Sequence, residues 1–507
     1  MADTSGPDRG PSAAATGSAI RVRFAPSPSG DLHVGNIRTA LYDWAFARHH
    51  GGTFVFRIED TDRSRVTDEN IHAAAESLRW LGLDWDEGPE VGGPYGPYLQ
   101  SQRMDVYREW ARRFLDSGHA YHCYCTPDEL EERREAARRE GRPPGYDGRC
   151  RELTAEQVDA YRVEGRQPVL RFKMPPGSTT FQDLIRGEVH FEHEHVPDFV
   201  LMRADGSPLY TLAVAVDDIL MGITHILRGD DLLSSTPRQM AVYTAMGVAP
   251  EDFPVFGHLP FVLGADNQKL SKRNGEVSIA WYRREGFLPE AMVNYLALLG
   301  WSLGDDREEF TLAEMVEAFD IERVNSNPAR FDMKKLEAIN GDKIRALKPD
   351  DFAARILPFL QQAGLVAHPP TAEEQRLVEG AAPLIQERMT RLTETVGMLG
   401  FLFVAEDHFT VDPEAAARSL TEDSRPALEA ARAALEGVPR WRTEDIEAAL
   451  REALVAGLGL KPKHAFSPIR VAVTGRRVSP PLFESMELLG RDRTLARLDG
   501  ALSGMTA

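Results

Sequence analysis

Residues 21–58 constrain the fold more tightly than any other stretch of the chain. Arg21 to Phe24 is a short β-type run, and Thr53 to Ile58 (TFVFRI) alternates aromatic and β-branched residues. Between them Ile37, Ala40, Leu41, Trp44 and Ala45 recur at helical spacing, and Gly51-Gly52 supplies a stop. Strand, loop, helix and strand of this length predict the βαβ unit of a parallel sheet. The spacing predicts a further helix over 70–81, with Trp80 and Leu81 on its apolar face.

The texture changes from about residue 101. Thr126 at N-cap, Pro127 at N1 and Glu129 at N3 open a charged segment, LEERREAARREGR, that reads as a solvent-exposed helix. Short β-type pieces such as PVLRFKM follow over 160–200, and around 223–263 ITHILRGDDLL and PVFGHLPFVLG return to the strand-and-loop pattern of a parallel sheet. The stretch 101–205 therefore reads as a domain inserted between two halves, 19–100 and 206–262, of one α/β unit. Beyond about residue 280 the pattern is mostly helical. Ile446, Ala449, Leu450, Ala453 and Leu454 form a stripe behind a Thr443 cap, with similar stripes over 371–403 and 414–436. A region 263–340 leads into this helical region, 341–507, which shows no catalytic motif and so reads as a recognition domain.

Composition narrows the function classes. The 42% hydrophobic and 27% charged residues exclude a mainly disordered or membrane-embedded chain. No apolar run approaches the ~18–20 residues that cross a bilayer. Residues 1–18 lack the apolar core of a signal peptide and read as a disordered tail on a cytoplasmic protein. Three cysteines cannot build an extracellular disulfide framework, which also points to a reducing compartment. The net charge of −19 does not exclude nucleic acid, because a local basic surface decides phosphate binding; such a chain would bind RNA by docking geometry.

Two clusters can carry chemistry. RFAPSPSGDLHVGN, from Arg23 to Asn36, joins the first strand to the first helix, where an open α/β sheet binds ligands and a helix N-terminus offers N–H groups to phosphate. Gly35 lets the backbone approach a nucleotide, and His33 can donate to a phosphate oxygen as charge develops. Far downstream, KLSKR (Lys269 to Arg273) puts three cations and a serine in five positions, suited to a loop that closes on a triphosphate.

HVGN and KLSKR resemble the HIGH and KMSKS signatures of class I aminoacyl-tRNA synthetases. More narrowly, RFAPSPSGDLHVGN, FRIEDTDRSR, WLGLDWDEGP, YDGRCR, DDILMGITHILRGDDLLSSTPRQ, KLSKRNG and FLPEAMVNYLALLGW resemble the glutamyl-tRNA synthetase family, from about residue 20 to SPIRVAVTG near 475. The resemblance implies an α/β fold: a Rossmann-type parallel-sheet catalytic domain with an inserted α+β acceptor-binding domain, followed by an all-α C-terminal anticodon-binding region. It implies ATP-dependent ligation of L-glutamate to tRNA(Glu) through glutamyl-adenylate, with Mg2+ on the triphosphate, by a monomer. A paralogue that glutamylates a modified base would lack the helical region, and glutaminyl-tRNA synthetase would continue into β-barrels. A catalytically dead module would have lost His33 or Lys272.

Carried over position by position, the resemblance assigns the substrate side chain to Arg23 and Arg228 and the ammonium to Glu59, with Ala25, Ser27 and Tyr210 lining the pocket. It assigns ATP to His33, Gly35, Asp231, Lys269, Ser271 and Lys272, of which His33, Lys269 and Lys272 act on the transition state. Asp60 and Asp62 read equally as structural carboxylates. The chain departs from the pattern at Asn36, Leu270 and Leu232, the last on the adenine side. Cys123, Cys125 and Cys150 fall within 28 residues and suit thiolate coordination of Zn2+. Some family members are similar here, with a fourth ligand two residues past the last cysteine, which is Glu152 in this chain. Arg388 falls where discriminating members carry an arginine that reads the third anticodon base, and it bears on whether tRNA(Gln) is also accepted.

Overall fold

The computed structural model describes residues 19–62, 66–141, 145–264, 266–270, 278–304 and 306–505, so the tail expected over 1–18 lies outside the described residues. The chain divides into two units, Met1–Tyr282 with Met292–Met333, and Arg283–Ala291 with Lys334–Ala507. In the first, β1 (Arg21–Phe24), α1 (Val34–His49), β2 (Thr53–Phe56) and α2 (Asp68–Trp80) follow one another as the pattern predicts. β1 and β2 pair in parallel, Arg21 opposite Thr53 through Phe24 opposite Phe56. The second strand ends two residues early because Ile58 exchanges hydrogen bonds with a different segment, donating to Tyr98 at 2.9 Å and accepting from Gln100 at 3.0 Å. On α2 the buried residues are Ala74, Ala75 and Leu78, with Leu81 just beyond, whereas Trp80 is half-buried. Two residues past Leu78, Trp80 is turned about 200° around the helix, away from that face.

The stretch read as an insertion contains α3 (Met104–Asp116), β3 (Ala120–Cys123), α4 (Pro127–Arg139), α5 (Ala155–Val163), β4 (Val169–Phe172), β5 (Ser178–Asp183), β6 (Gly187–Glu192) and β7 (Phe199–Met202). α4 starts in the expected capping box of Thr126 and Glu129. β3, β4 and β7 form an antiparallel sheet of their own. The β5–β6 hairpin departs from the expected boundary of 101–205, because it joins the main sheet: Asp183 pairs in parallel with Phe256. An alternating strand pattern records which face is buried and not which sheet the strand enters.

The main sheet is completed by β8 (His225–Gly229) and β9 (Val255–Leu259), in the order β2-β1-β8-β9-β5-β6, with α6 (Tyr210–Leu220) before β8 and α7 (Thr236–Ala245) between the two. β10 (Val262–Leu263), α8 (Ile279–Arg284), α9 (Pro289–Leu298), α10 (Leu312–Ala318) and β11 (Ala329–Arg330) follow, and β10 pairs with β11. From β1 the chain moves to β2 on one side and later returns to β8 on the other. The order therefore reverses between β1 and β8, and a crevice opens beyond the carboxyl ends of these two strands.

The second unit is helical: α11 (Met333–Ala346), α12 (Pro349–Gln362), α13 (Ala372–Gln386), α14 (Glu394–Phe403), α15 (Pro413–Ser419), α16 (Arg425–Glu436), α17 (Thr443–Leu450), α18 (Pro462–Thr474), α19 (Leu482–Leu489) and α20 (Arg491–Gly504). The expected stripe over 446–454 is buried at Ile446, Leu450 and Leu454, and the last turn of it is π-helical over Arg451–Gly457. Thr443 does not cap α17. It is the first helical residue, and its backbone N–H and hydroxyl both donate to the Glu487 carboxylate, a stronger acceptor than its own helix offers.

The first unit turns on two adjacent carboxylates of α6, both fully buried. Asp217 accepts from Arg103 Nε at 2.7 Å, Tyr107 Oη at 2.7 Å and Gln100 Nε2 at 3.1 Å. Asp218 accepts from Arg57 at 2.8 Å and from Arg23 Nε at 3.1 Å, tying α6 to β1 and to the end of β2. Burial alone would raise the Asp218 pKa, yet Arg23 and Arg57 hold it below the ordinary carboxylate value. Asp218→Ala, which leaves two desolvated guanidiniums short of a partner, is expected to cost about 3–5 kcal/mol in urea unfolding. A loss below about 1 kcal/mol would show the pairs to be incidental.

Candidate active site

A cavity of about 220 Å³ lies at the crevice between β1 and β8. Its lining includes Arg23, Ala25, His33, Gly35, Glu59, Tyr210, Arg228, Asp231 and Lys269, residues from opposite ends of a 250-residue stretch. Ser27 is exposed and does not line it. Ser271 and Lys272 lie outside the described residues.

His33 is the N-cap of α1. Its Nδ1 accepts from the backbone N–H of Gly35 at 3.1 Å and of Asn36 at 3.3 Å, so the neutral ring carries its proton on Nε2. Asn36, one of the departures from the family pattern, acts locally, since its side-chain oxygen accepts the His33 N–H and closes a capping box. A Cβ on Gly35 would sit 3.1–3.2 Å from the His33 ring, so glycine here makes room for the imidazole. At the mouth, Lys269 Nζ pairs with Asp231 at 2.9 Å while both side chains stay about half exposed. An exposed pair of this kind is weak, so the ammonium can leave Asp231 for another anion at little cost.

The floor is cationic. Arg23 is neutralised by Asp218, but Arg228 is different. It is 3% exposed, and its guanidinium donates to His258 Nε2 at 3.0 Å, Gln239 Oε1 at 2.7 Å, Thr236 Oγ1 at 2.8 Å and the Leu232 carbonyl at 3.2 Å. All four partners are neutral groups, and among the described residues no carboxylate lies within ion-pair distance. Burial accordingly lowers the Arg228 pKa. A desolvated cation without a counter-charge is a site waiting for an anion. Opposite in sign stands Glu59, whose Oε1 accepts from Arg57 at 3.2 Å. Burial pushes its carboxyl up to about 7, against the pull of Arg57 and Arg23.

Of the undecided carboxylates, Asp60 is structural: it accepts the backbone N–H of Ser101 at 2.8 Å and its hydroxyl at 2.6 Å. Sequence reasoning missed Asp43. It lies eight residues after Gly35 on the cavity-facing stripe of α1, is fully buried, and has no hydrogen-bond partner for either oxygen among the described residues. An acid within the apolar run ALYDWAFA was the available signal. His258, Gln239 and Asp183 were missed as well, because their value depends on Arg228 alone.

Outside the cavity, the three cysteine sulfurs gather within 4.8 Å of one another, with Cys125 and Cys150 3.6 Å apart. Hydrogen bonding among the sulfurs pulls the Cys123 thiol down and pushes the Cys125 thiol up. Tetrahedral sulfurs at ~2.3 Å from zinc stand roughly 3.8 Å apart, so the cluster fits that ion. Glu152 is not brought to it. Its side chain is 83% exposed and pairs with Lys173 at 3.0 Å, where water and an ammonium both solvate the carboxylate. In the helical unit Arg388 is exposed, just past the end of α13, and donates to the Ser479 carbonyl at 3.1 Å.

Residues 19–338 match the family model for tRNA synthetases class I (E and Q), catalytic domain, and residues 351–502 match that for an anticodon binding domain. The chain is 58% identical over 488 residues to a glutamate–tRNA ligase of Saccharopolyspora erythraea, covering 96% of each chain. It is 57% identical to one of Nocardioides sp., covering 95% of this chain and 98% of the relative. Among solved structures it is similar to a glutamate tRNA ligase from Elizabethkingia meningosepticum in complex with its amino acid, with TM-score 0.81 and 31% identity over 96% of this chain and 100% of that one.

The glycine that makes room for His33 supplies a test. Gly35→Ala is expected to weaken ATP binding, read by calorimetry, on the order of 10-fold or more through displacement of the ring. The α1 helix itself should not lose stability, since alanine is the better helix former. Unchanged ATP affinity would separate His33 from the nucleotide.

Proposed function

The chain belongs to the glutamate–tRNA ligase family of class I aminoacyl-tRNA synthetases, and from that premise we propose how its residues divide the work. The enzyme ligates L-glutamate to tRNA(Glu) in two ATP-dependent steps through glutamyl-adenylate, releasing AMP and diphosphate. The observation that carries the assignment of residues is Arg228, a buried guanidinium whose partners are all neutral. In this reading Arg228 takes the side-chain carboxylate of glutamate, with Arg23 beside it, and Glu59 takes the α-ammonium. Ala25 and Tyr210 shape the walls, and Ser27 stays outside them.

The substrate α-carboxylate then faces the α-phosphate of ATP at the α1 N-terminus. One carboxylate oxygen attacks phosphorus, the bond to the β-phosphate bridging oxygen breaks, and diphosphate leaves. His33 donates through Nε2 to the phosphate as charge develops, while Gly35 lets the backbone N–H groups approach. Lys269, released from Asp231, and Lys272 neutralise the departing diphosphate, and Ser271 donates a hydrogen bond to it; Mg2+ would arrive as part of the nucleotide. In the second step a hydroxyl of the terminal tRNA ribose attacks the mixed anhydride and AMP leaves. In this reading the enzyme acts as a monomer.

The same reading gives 101–205 the acceptor end of the tRNA and 341–507 the anticodon, with Arg388 deciding whether tRNA(Gln) is accepted beside tRNA(Glu). Zn2+ held by Cys123, Cys125 and Cys150 would brace the loop between β3 and α5, and Glu152 completes a tetrahedron only after leaving Lys173. Unpaired thiols suit a reducing cytoplasm. Among the described residues no helix is long and apolar enough to cross a membrane.

Two experiments test these assignments. Glu59 accepts an ammonium only when ionised, and its free-enzyme pKa lies at about 7. The kcat/KM for glutamate in tRNA(Glu) charging should therefore be flat above pH 7 and fall toward about tenfold per unit below it, since kcat/KM reports the free enzyme. Glu59→Gln should lower kcat/KM and flatten that limb; a limb that persists in Glu59→Gln would assign it to another group. Elemental analysis after dialysis should find about one zinc per chain, lost in Cys125→Ser, and a wild-type value near zero would retire the metal.

A further inference from the structure

Arg228 is held from behind by a buried carboxylate–imidazole pair, Asp183 and His258, neither of which lines the cavity. β8 and β9 set Arg228 directly opposite His258, and β9 also pairs with β5, whose last residue is Asp183. Asp183 Oδ2 lies 2.6 Å from His258 Nδ1, and both side chains are wholly buried. The other oxygen, Oδ1, accepts three backbone N–H groups: Arg186 at 2.9 Å, Ile185 at 3.0 Å and His258 at 3.1 Å. The same turn grips the neighbouring loop a second time, through Arg186 and Asp230 at 2.9 Å.

Donor counting fixes the proton. Arginine keeps its Nε–H at any working pH, so His258 Nε2, 3.0 Å away, must present a lone pair. The Thr236 hydroxyl, 3.3 Å from the same nitrogen, is compatible with that lone pair. The ring proton then sits on Nδ1, where Asp183 accepts it. We infer that Asp183 and His258 are positioning residues for glutamate recognition: the carboxylate locks the imidazole in the Nδ1–H tautomer, and the imidazole aims the Arg228 guanidinium at the substrate carboxylate. This rests on the reading of Arg228 as the carboxylate-binding group.

Asparagine at 183 exposes the device. Its single amide oxygen is claimed by the three backbone N–H groups, so its NH2 faces His258 Nδ1. That nitrogen must then become the acceptor, the ring proton moves to Nε2, and two N–H groups confront each other across the Arg228 contact. The side chain keeps its size and an oxygen for the three backbone N–H groups but loses its charge, so the tautomer and the glutamate KM, and not stability, are what separate a positioning role from a structural one.

The test is steady-state charging of tRNA(Glu) with KM measured separately for glutamate and ATP, together with 15N spectra of histidine-labelled full-length protein, the His258 signals being assigned by their loss in His258→Gln. Asp183→Asn is expected to raise the glutamate KM on the order of 10-fold, the scale on which outer-shell partners act, while the ATP KM stays within about twofold. The His258 shifts should pass from Nδ1-protonated to Nε2-protonated. As a second arm, His258→Gln, whose amide oxygen can accept from Arg228, should keep a lower glutamate KM than His258→Leu. Equal KM values in that pair, or an Asp183→Asn enzyme with switched tautomer and unchanged glutamate KM, would overturn the inference. Arg228→Lys separates the two levels: if it leaves the glutamate KM unchanged, the reading of Arg228 fails, and if it raises that KM while the other variants do not, only the positioning role fails.

Discussion

Burying charge at the centre of an α/β sheet is the constraint on which this structure depends. Asp217 and Asp218 sit side by side on α6, and each is compatible with the interior only because guanidinium groups meet it there. The donors come from β1, from the end of β2 and from the segment entering α3. Removing any one of them strands a charge, so these elements are held in one arrangement by the high cost of every other. The same pairs fix where the carboxyl ends of β1 and β2 stand, and hence where the crevice opens.

Within that frame, two buried cavity-lining guanidiniums, Arg228 and Arg38, have no carboxylate partner among the described residues. Arg23 and Arg57 share the single carboxylate of Asp218, which holds both in place. Arg228 is oriented entirely by neutral acceptors and keeps its positive charge for a ligand. Glu59 is the counterpart, an acid that burial holds near its point of titration until a cation arrives. Under the proposed assignment, a substrate carrying both an extra carboxylate and an ammonium would relieve both groups at once, and a neutral side-chain amide in place of that carboxylate would leave Arg228 uncompensated.

The inserted segment is less separate than its texture suggests. Its three-stranded sheet stands alone, but the β5–β6 hairpin continues the main sheet beyond β9 and delivers Asp183 and Arg186 to the back of the Arg228 loop. The pair behind Arg228 is thus assembled from two segments, His258 from β9 and Asp183 from the hairpin inside the inserted stretch.

Legible in the sequence were the βαβ unit, the cap at Thr126, the gathering of three cysteines and, through motifs that resemble a known family, the cavity-lining residues Arg23, His33, Glu59 and Arg228. Each is a local signal: a period, a capping pair, a motif whose residues are close along the chain. Only the tertiary structure decided that β5 and β6 enter the main sheet, that Thr443 serves Glu487 rather than α17, that Glu152 turns to Lys173, and that Asp43 faces the cavity with both oxygens unpaired. It alone decided that Asp183, His258 and Arg228 form one chain of hydrogen bonds. Hydrogen-bond partnership and desolvation are properties of what surrounds a side chain in space. A partner 75 residues away leaves no trace in the local pattern that a single sequence displays.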